Sequence, residues 1–262
     1  MQNIIHRIGD KLVPWIAVAS LLLIWQLLCT VHILPSYMLP SPVNVVKAFV
    51  NDIPLLAYHS AATLTEAALG LLIGIAGGFI IAFIMEHNRI LYRSLYPILV
   101  ITQTVPSMAI APLLVLWMGY GIAPKITLIV IMAFFPIAVG LLDGFREADS
   151  DAIMLMKAMG AGKVQIFWHI KLPSSMSHFF AGVRLAVSYG IVGAVIAEWL
   201  GGFSGLGVYM TRVKKSYAYD RMFAVIFLIT AISLFAMKLV SLLQKAVMPW
   251  TRTTTNDSTQ CK

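Results

Sequence analysis

Six apolar runs alternate with polar connectors along this chain, at residues 12–34, 61–85, 95–118, 123–142, 179–197 and 222–243. A hydrocarbon core is crossed by ~20 apolar residues in helical form, so each run predicts a membrane-spanning helix. The expected fold is therefore an all-α integral membrane protein with six spans in a single domain, residues 1–262. The connectors are a Pro-rich stretch at 35–60, short links at 86–94 and 119–122, a long polar loop at 143–178 and a segment at 198–221. A polar tail, 251–262, closes the chain. The first run is longer than a signal-peptide core and no small-residue cleavage pattern follows it, so it is read as a span.

Six spans put both termini on one side, and positive charge selects the side. With the termini in the cytoplasm, eleven Lys and Arg residues lie inside and six outside, leaving aside Arg184 and Lys238 within spans. Of the outer six, Lys47 and Lys125 stand apart, while Arg212, Lys214, Lys215 and Arg221 cluster at residues 212–221 against the trend. That cluster reads as a solvated face or as a surface for an acidic partner. The orientation places the loop 143–178 in the cytoplasm.

Two spans carry small residues at every fourth position: Gly70, Gly74 and Gly78 in one, and Gly182, Ala186, Gly190 and Ala194 in the other. Such faces let helix backbones approach closely in lipid, where packing drives association. They fit packing within the chain or against a second copy. The third run contains Pro97, Pro106 and Pro112, with Gln103 and Thr104 between them. Proline frees carbonyls, which suits either a bent scaffold helix or a water-lined path. Gln103, Thr104 and Pro106 are the candidates for such a path. Glu198, at the outer end of the fifth run, is a further candidate for the path, as a gating or docking group, and otherwise reads as an interfacial carboxylate in reach of water; Glu66 reads as an interfacial group.

The polar loop is the most informative segment. Residues 149–159 predict an amphipathic helix with Asp149 or Asp151 at its N-terminus, opposing the positive end of the dipole. Gly160 supplies a left-handed stop. A second short helix is expected from Gly162 to about Lys171, ended by Pro173 because the residue before proline avoids helical geometry. A helix–Gly–helix hairpin of this kind is a rigid knob for a socket on a soluble partner.

Composition limits the function classes. With 60% hydrophobic and only 11% charged residues, the chain cannot cover its apolar surface as a soluble domain. The excess of 19 Lys and Arg over 11 Asp and Glu meets anionic lipid rather than nucleic acid. Cys29 and Cys261 form neither a disulfide framework nor a metal site, and the six His residues show no metal spacing. Mid-span regions almost free of acidic and His residues count against an ion-coupled secondary transporter. No clustered catalytic side chains point to a membrane-embedded enzyme. Gly162-Lys163 lacks both the following Ser or Thr and the earlier glycine of a phosphate-binding loop, so no nucleotide site is expected in this chain.

The chain resembles the permease subunits of bacterial ABC importers. Their loop signature, Glu-Ala-Ala, three residues, Gly, nine residues, Ile-x-Leu-Pro, is matched at Gly160, Ile170, Leu172 and Pro173, with Ala161 after the glycine. The Glu-Ala-Ala positions hold Met154, Leu155 and Met156, a departure that bears on the charged contacts of the loop. Further motifs are similar to the nitrate/sulfonate/taurine branch: Leu39-Pro40-Ser41-Pro42, Pro106-Ser107-Met108-Ala109, Trp117-x-Gly119-x-Gly121 and Phe134-Phe135-Pro136. Glu198-Trp199-Leu200-Gly201-Gly202 followed by Ser204-Gly205-Leu206-Gly207 resembles permeases for pyrimidine precursors of thiamine. The resemblance implies a type I importer permease fold, a homodimer, two cytoplasmic ATPase subunits and an extracytoplasmic substrate-binding protein. It implies that Met154, Leu155, Met156, Lys157, Gly160, Ala161, Ile170, Leu172 and Pro173 form the ATPase-coupling element. ATP and Mg would be used by the partner, with no cofactor held by this chain. The substrate it implies is a hydroxymethylpyrimidine-type solute, with aliphatic sulfonate, taurine or nitrate as the alternative.

Overall fold

The computed structural model describes residues 2–31 and 38–249; the tail 251–262, Cys261 and the end of the first run at Leu34 lie outside them. Among the described residues every regular element is helical. The chain divides into two compact units, Met1–His59 with Tyr209–Leu228, and Ser60–Val208 with Ile229–Lys262.

The first unit opens with α1, Gln2–Thr30. The Pro-rich connector expected at 35–60 is largely helical. Ser41 caps α2, Pro42–Asn51, by accepting the Asn44 N–H at 3.3 Å. Pro42 stands in its first turn, where a missing N–H costs nothing. The next helix, α3, already begins at Ile53 and runs to His87. Trp25 of α1 packs on Phe223 and Phe227, both at 5.9 Å between ring centres. Asp52 accepts hydrogen bonds from the Tyr209 hydroxyl and from Arg221 Nε.

The second unit is built on α4 (Arg89–Thr104), α5 (Ser107–Met118), α6 (Ile122–Arg146), α7 (Ser150–Ala158), α8 (Lys163–Ile166) and α9 (Leu172–Gly201). The main core lies where α6 and α9 meet, with Ile129, Ala133, Ile137, Leu141, Ala186 and Ala194 fully or almost fully buried. In lipid this contact gains little from apolar burial and depends on fit. Fit is achieved by backbone contact: a methyl group at Gly182 would sit 2.5 Å from the Pro136 carbonyl oxygen. Gly70, Gly74 and Gly78 of α3 face Ile129, Ala133 and Ile137 of α6 in the same way. Both small-residue faces thus pack within the chain.

Among the described residues four helical stretches are long and apolar enough to cross a membrane: Ile53–His87, Ile122–Arg146, Lys163–Gly201 and Tyr219–Val247. The α4–α5 pair makes a fifth if its two limbs count as one span. In α1 the apolar part is the shorter Ile16–Thr30.

Two expectations are corrected here. The run 95–118 is not one helix, because α4 and α5 meet at 98°. Of its prolines only Pro106 breaks the chain, since Val105 before it is extended and Pro97 and Pro112 stay inside helices. Conversely, Pro173 does not end a helix. A π-helical turn at Phe167–Lys171 joins α8 to α9, with Leu172 N–H reaching Phe167 O. The wider turn shifts the register so that Pro173 falls in the first turn of α9, where no N–H is needed.

Candidate functional site

Three places hold the polar chemistry of the second unit. The first is the break between α4 and α5. A helix end leaves its last carbonyls or first N–H groups without partners. Here residues from the end of α4 and the start of α5 line one cavity of about 430 Å³. Thr102, Gln103, Thr104, Val105, Pro106 and Ser107 line one side of it. Ile131, Met132, Phe135, Pro136 and Tyr189 line the other. The Thr102 and Thr104 hydroxyls donate to the carbonyls of Leu99 and Ile101 within α4. Backbone at such a break is tolerated at membrane depth only against protein or water. Gln103, Thr104 and Pro106 are therefore together at one cavity.

Glu198 is elsewhere. It is 1% exposed, and its carboxylate accepts from the Thr63 hydroxyl at 2.7 Å and from the Gly207 N–H at 2.6 Å. Thr63 Oγ1 in turn accepts the Leu206 N–H at 2.8 Å, so the two side chains hold the backbone at 206–207. Beside them Lys125 Nζ meets Glu66 Oε1 at 2.6 Å, with both side chains almost fully buried. Sequence reasoning placed Glu66 and Glu198 in reach of water or on the path; the fold turns both inward. The signal was present in the glycines. Gly205 has φ +122°, and a Cβ there would lie 2.1 Å from the Glu198 carboxyl carbon. Only glycine satisfies both the backbone region and the space. The Gly-rich segment after Glu198 is the wrapping of a buried carboxylate.

The third place is the knob at α7. Asp149 caps it, accepting from Asp151 N–H at 2.9 Å and Ala152 N–H at 3.4 Å. Its C-terminus closes with the Gly160 N–H on Lys157 O and the Ala161 N–H on Met156 O, around Gly160 at φ +83°. No residue of α7 is buried. Met154, Leu155, Met159, Val164 and Trp168 are all more than half exposed. Neighbouring apolar side chains left open on a stiff, capped element mark a contact surface. Lys157 belongs to α7, and Ala161 is held only by its backbone bond. Ile170, Leu172 and Pro173 lie at the join of the π-turn and α9, half-buried, and place the knob on the bundle. A cleft behind α7 is lined by Glu86, Arg146, Lys157 and Lys171, with Glu86 and Lys171 in an ion pair. Arg146 stacks on Tyr92, 4.3 Å from the ring centre.

The described residues thus form an all-helical chain with several helices of membrane-spanning length, one sharply broken helix pair and an apolar knob in the longest polar loop, features that suit a membrane transport protein. Residues 74–253 match the binding-protein-dependent transport system inner membrane component, and the chain belongs to that family. It is 39% identical to a probable ABC transporter permease of Haemophilus influenzae, over 84% of this chain and 90% of that protein. It is 33% identical to a formylaminopyrimidine transport permease of Halalkalibacterium halodurans, over 93% of this chain and 98% of the other. Permeases described for aliphatic sulfonates, taurine and nitrate are further relatives, at 28%, 28% and 24% identity. In fold the chain is similar to an amino acid ABC transporter crystal structure, with a TM-score of 0.61 at 16% identity, over 76% of this chain and 95% of that one. The chain is thus an ABC importer permease of type I fold, a multi-pass component of the inner membrane that works with an ATPase and a substrate-binding protein.

Proposed function

We propose that the chain forms, as a homodimer, the translocation path for a small pyrimidine of the thiamine-precursor type. Two cytoplasmic ATPase subunits drive it through the α7 knob. The observation that carries this reading is the knob itself: capped at both ends, unburied, and apolar where a soluble surface would be charged. Met154, Leu155, Met156 and Lys157 present it; Gly160 and Ala161 turn it; Ile170, Leu172 and Pro173 anchor it. ATP and Mg act at the partner, whose closure pushes the knob and biases a bundle with two arrangements.

The membrane topology proposed has α1 as a sixth span and both termini in the cytoplasm. Lys125 supports it, because its charge is held by Glu66 inside the protein and does not count as an outer surface charge. The pyrimidine substrate rests on the formylaminopyrimidine permease, which aligns over nearly its whole length. The taurine and sulfonate permeases at 28% identity support sulfonate import by the same machinery as the second reading. The test is uptake by proteoliposomes holding this chain, its ATPase and its binding protein. Accumulation of a formylaminopyrimidine that needs ATP and both partners is expected; accumulation by this chain alone, driven by an ion gradient, overturns the reading.

A further inference from the structure

We infer that the cavity at the α4–α5 break is a binding site for an uncharged solute carrying both hydrogen-bond donors and acceptors around a flat ring, and that it disfavours anions. The inference rests on the permease reading and names the substrate class of its path.

Thr102 and Thr104 spend their hydroxyl protons within α4. The side chains of Gln103, Ser107 and Tyr189, none of them buried, make no hydrogen bond among the described residues, and all three line the cavity. Gln103 offers one carbonyl and one NH₂, so it both accepts and donates; the two hydroxyls do the same. A solute edge bearing a ring nitrogen beside an amino or amide group meets its complement in this arrangement. A sulfonate or nitrate, with acceptors only, leaves half of these groups unmatched.

Charge decides further. None of the residues lining the cavity is charged. An anion entering it would give up water with no cation to offset the loss, whereas a neutral ring gives up far less. The opposite wall, Ile131, Met132, Phe135 and Pro136, is apolar and includes an aromatic face. Aromatic rings stack on flat heterocycles, and such a wall gives nothing to an ion. The volume of about 430 Å³ falls in the range of small-molecule pockets, ~300–1,000 Å³. No cationic side chain lines it: Lys125 is paired with Glu66, Arg184 on α9 donates to Gln244, and Arg146, Lys157 and Lys171 line the cleft behind the knob.

The experiment measures equilibrium binding to the solubilised permease–ATPase complex without binding protein, then uptake by the complete importer. The probes are a formylaminopyrimidine, ethanesulfonate and nitrate. The pyrimidine should bind and the two anions should neither bind nor compete. Gln103→Leu should weaken pyrimidine binding roughly five- to tenfold, the effect of losing one neutral hydrogen-bonding group. Its melting temperature should be unchanged, since Gln103 is exposed to the cavity. Ser107→Lys should create anion binding that the wild type lacks. Anion binding by the wild type at strength equal to the pyrimidine, or an unaltered Gln103→Leu, overturns the inference. Absence of binding by every probe while the importer transports one of them overturns it as well. If the complete importer carries neutral solutes other than the pyrimidine, the substrate reading fails and this inference stands. If it carries only the anions, both fail.

Discussion

Replacing Lys125 by methionine tests whether the buried pair beside Glu198 is an electrostatic unit. The Lys125 and Glu66 side chains are 6% and 7% exposed and meet at 2.6 Å. Glu198 lies in the same polar group, its two oxygens already occupied by Thr63 and Gly207. Removing the lysine leaves Glu66 buried beside a second carboxylate with no counter-charge. Breaking a buried pair from one side costs ~3–5 kcal/mol, whereas replacing both partners by apolar residues of similar volume is close to neutral. Lys125→Met should therefore destabilise by that amount, and Glu66→Met with Lys125→Met should recover most of the loss. The coupling is read by unfolding in mixed micelles, followed by tryptophan fluorescence. Single effects that add to the double effect within ~0.5 kcal/mol would show independent sites and refute the reasoning.

The remaining predictions concern glycines and the knob. Gly205→Ala combines a strained φ of +122° with a Cβ 2.1 Å from the Glu198 carboxyl carbon, and should cost more than the ~1–3 kcal/mol of backbone strain alone; thermal melting in detergent checks it. Gly70→Val places its Cβ 2.5 Å from Ile129 Cγ2 and should destabilise by ~1–3 kcal/mol through overpacking of α3 on α6. Gly162→Ala is the control, with extended φ and its nearest neighbour 3.8 Å away, and should leave the melting temperature unchanged. Gly160→Trp meets open space and costs only ~1–2 kcal/mol of left-handed strain. It should insert normally yet lose coupling between ATP hydrolysis and uptake, measured in proteoliposomes.

Period and composition made the all-helical membrane class legible, because apolar runs of bilayer length have few other uses. The α7 helix was legible for the same reason, its Asp149 cap and Gly160 stop being local signals. Three features escaped. Pro173 reads as a terminator under local rules, yet a π-turn at Phe167–Lys171 precedes it and leaves it in the first turn of α9, and no local residue pattern announces that turn. Glu66 and Glu198 read as interfacial because burial of a carboxylate depends on partners 59 and 135 residues away, Lys125 and Thr63. Period cannot reveal such partners. At the α4–α5 break the proline was visible but the 98° angle was not, since three prolines share that run and only Pro106 opens the chain.

The central claim is that force enters through the apolar tip of α7. Leu155, 63% exposed, is its test position. Leu155→Asp places a charge on that tip without touching a buried residue. In proteoliposomes with the ATPase and binding protein, the variant should insert and melt as the wild type does while ATP-driven uptake falls to background. Uptake by Leu155→Asp at the wild-type rate would contradict the account.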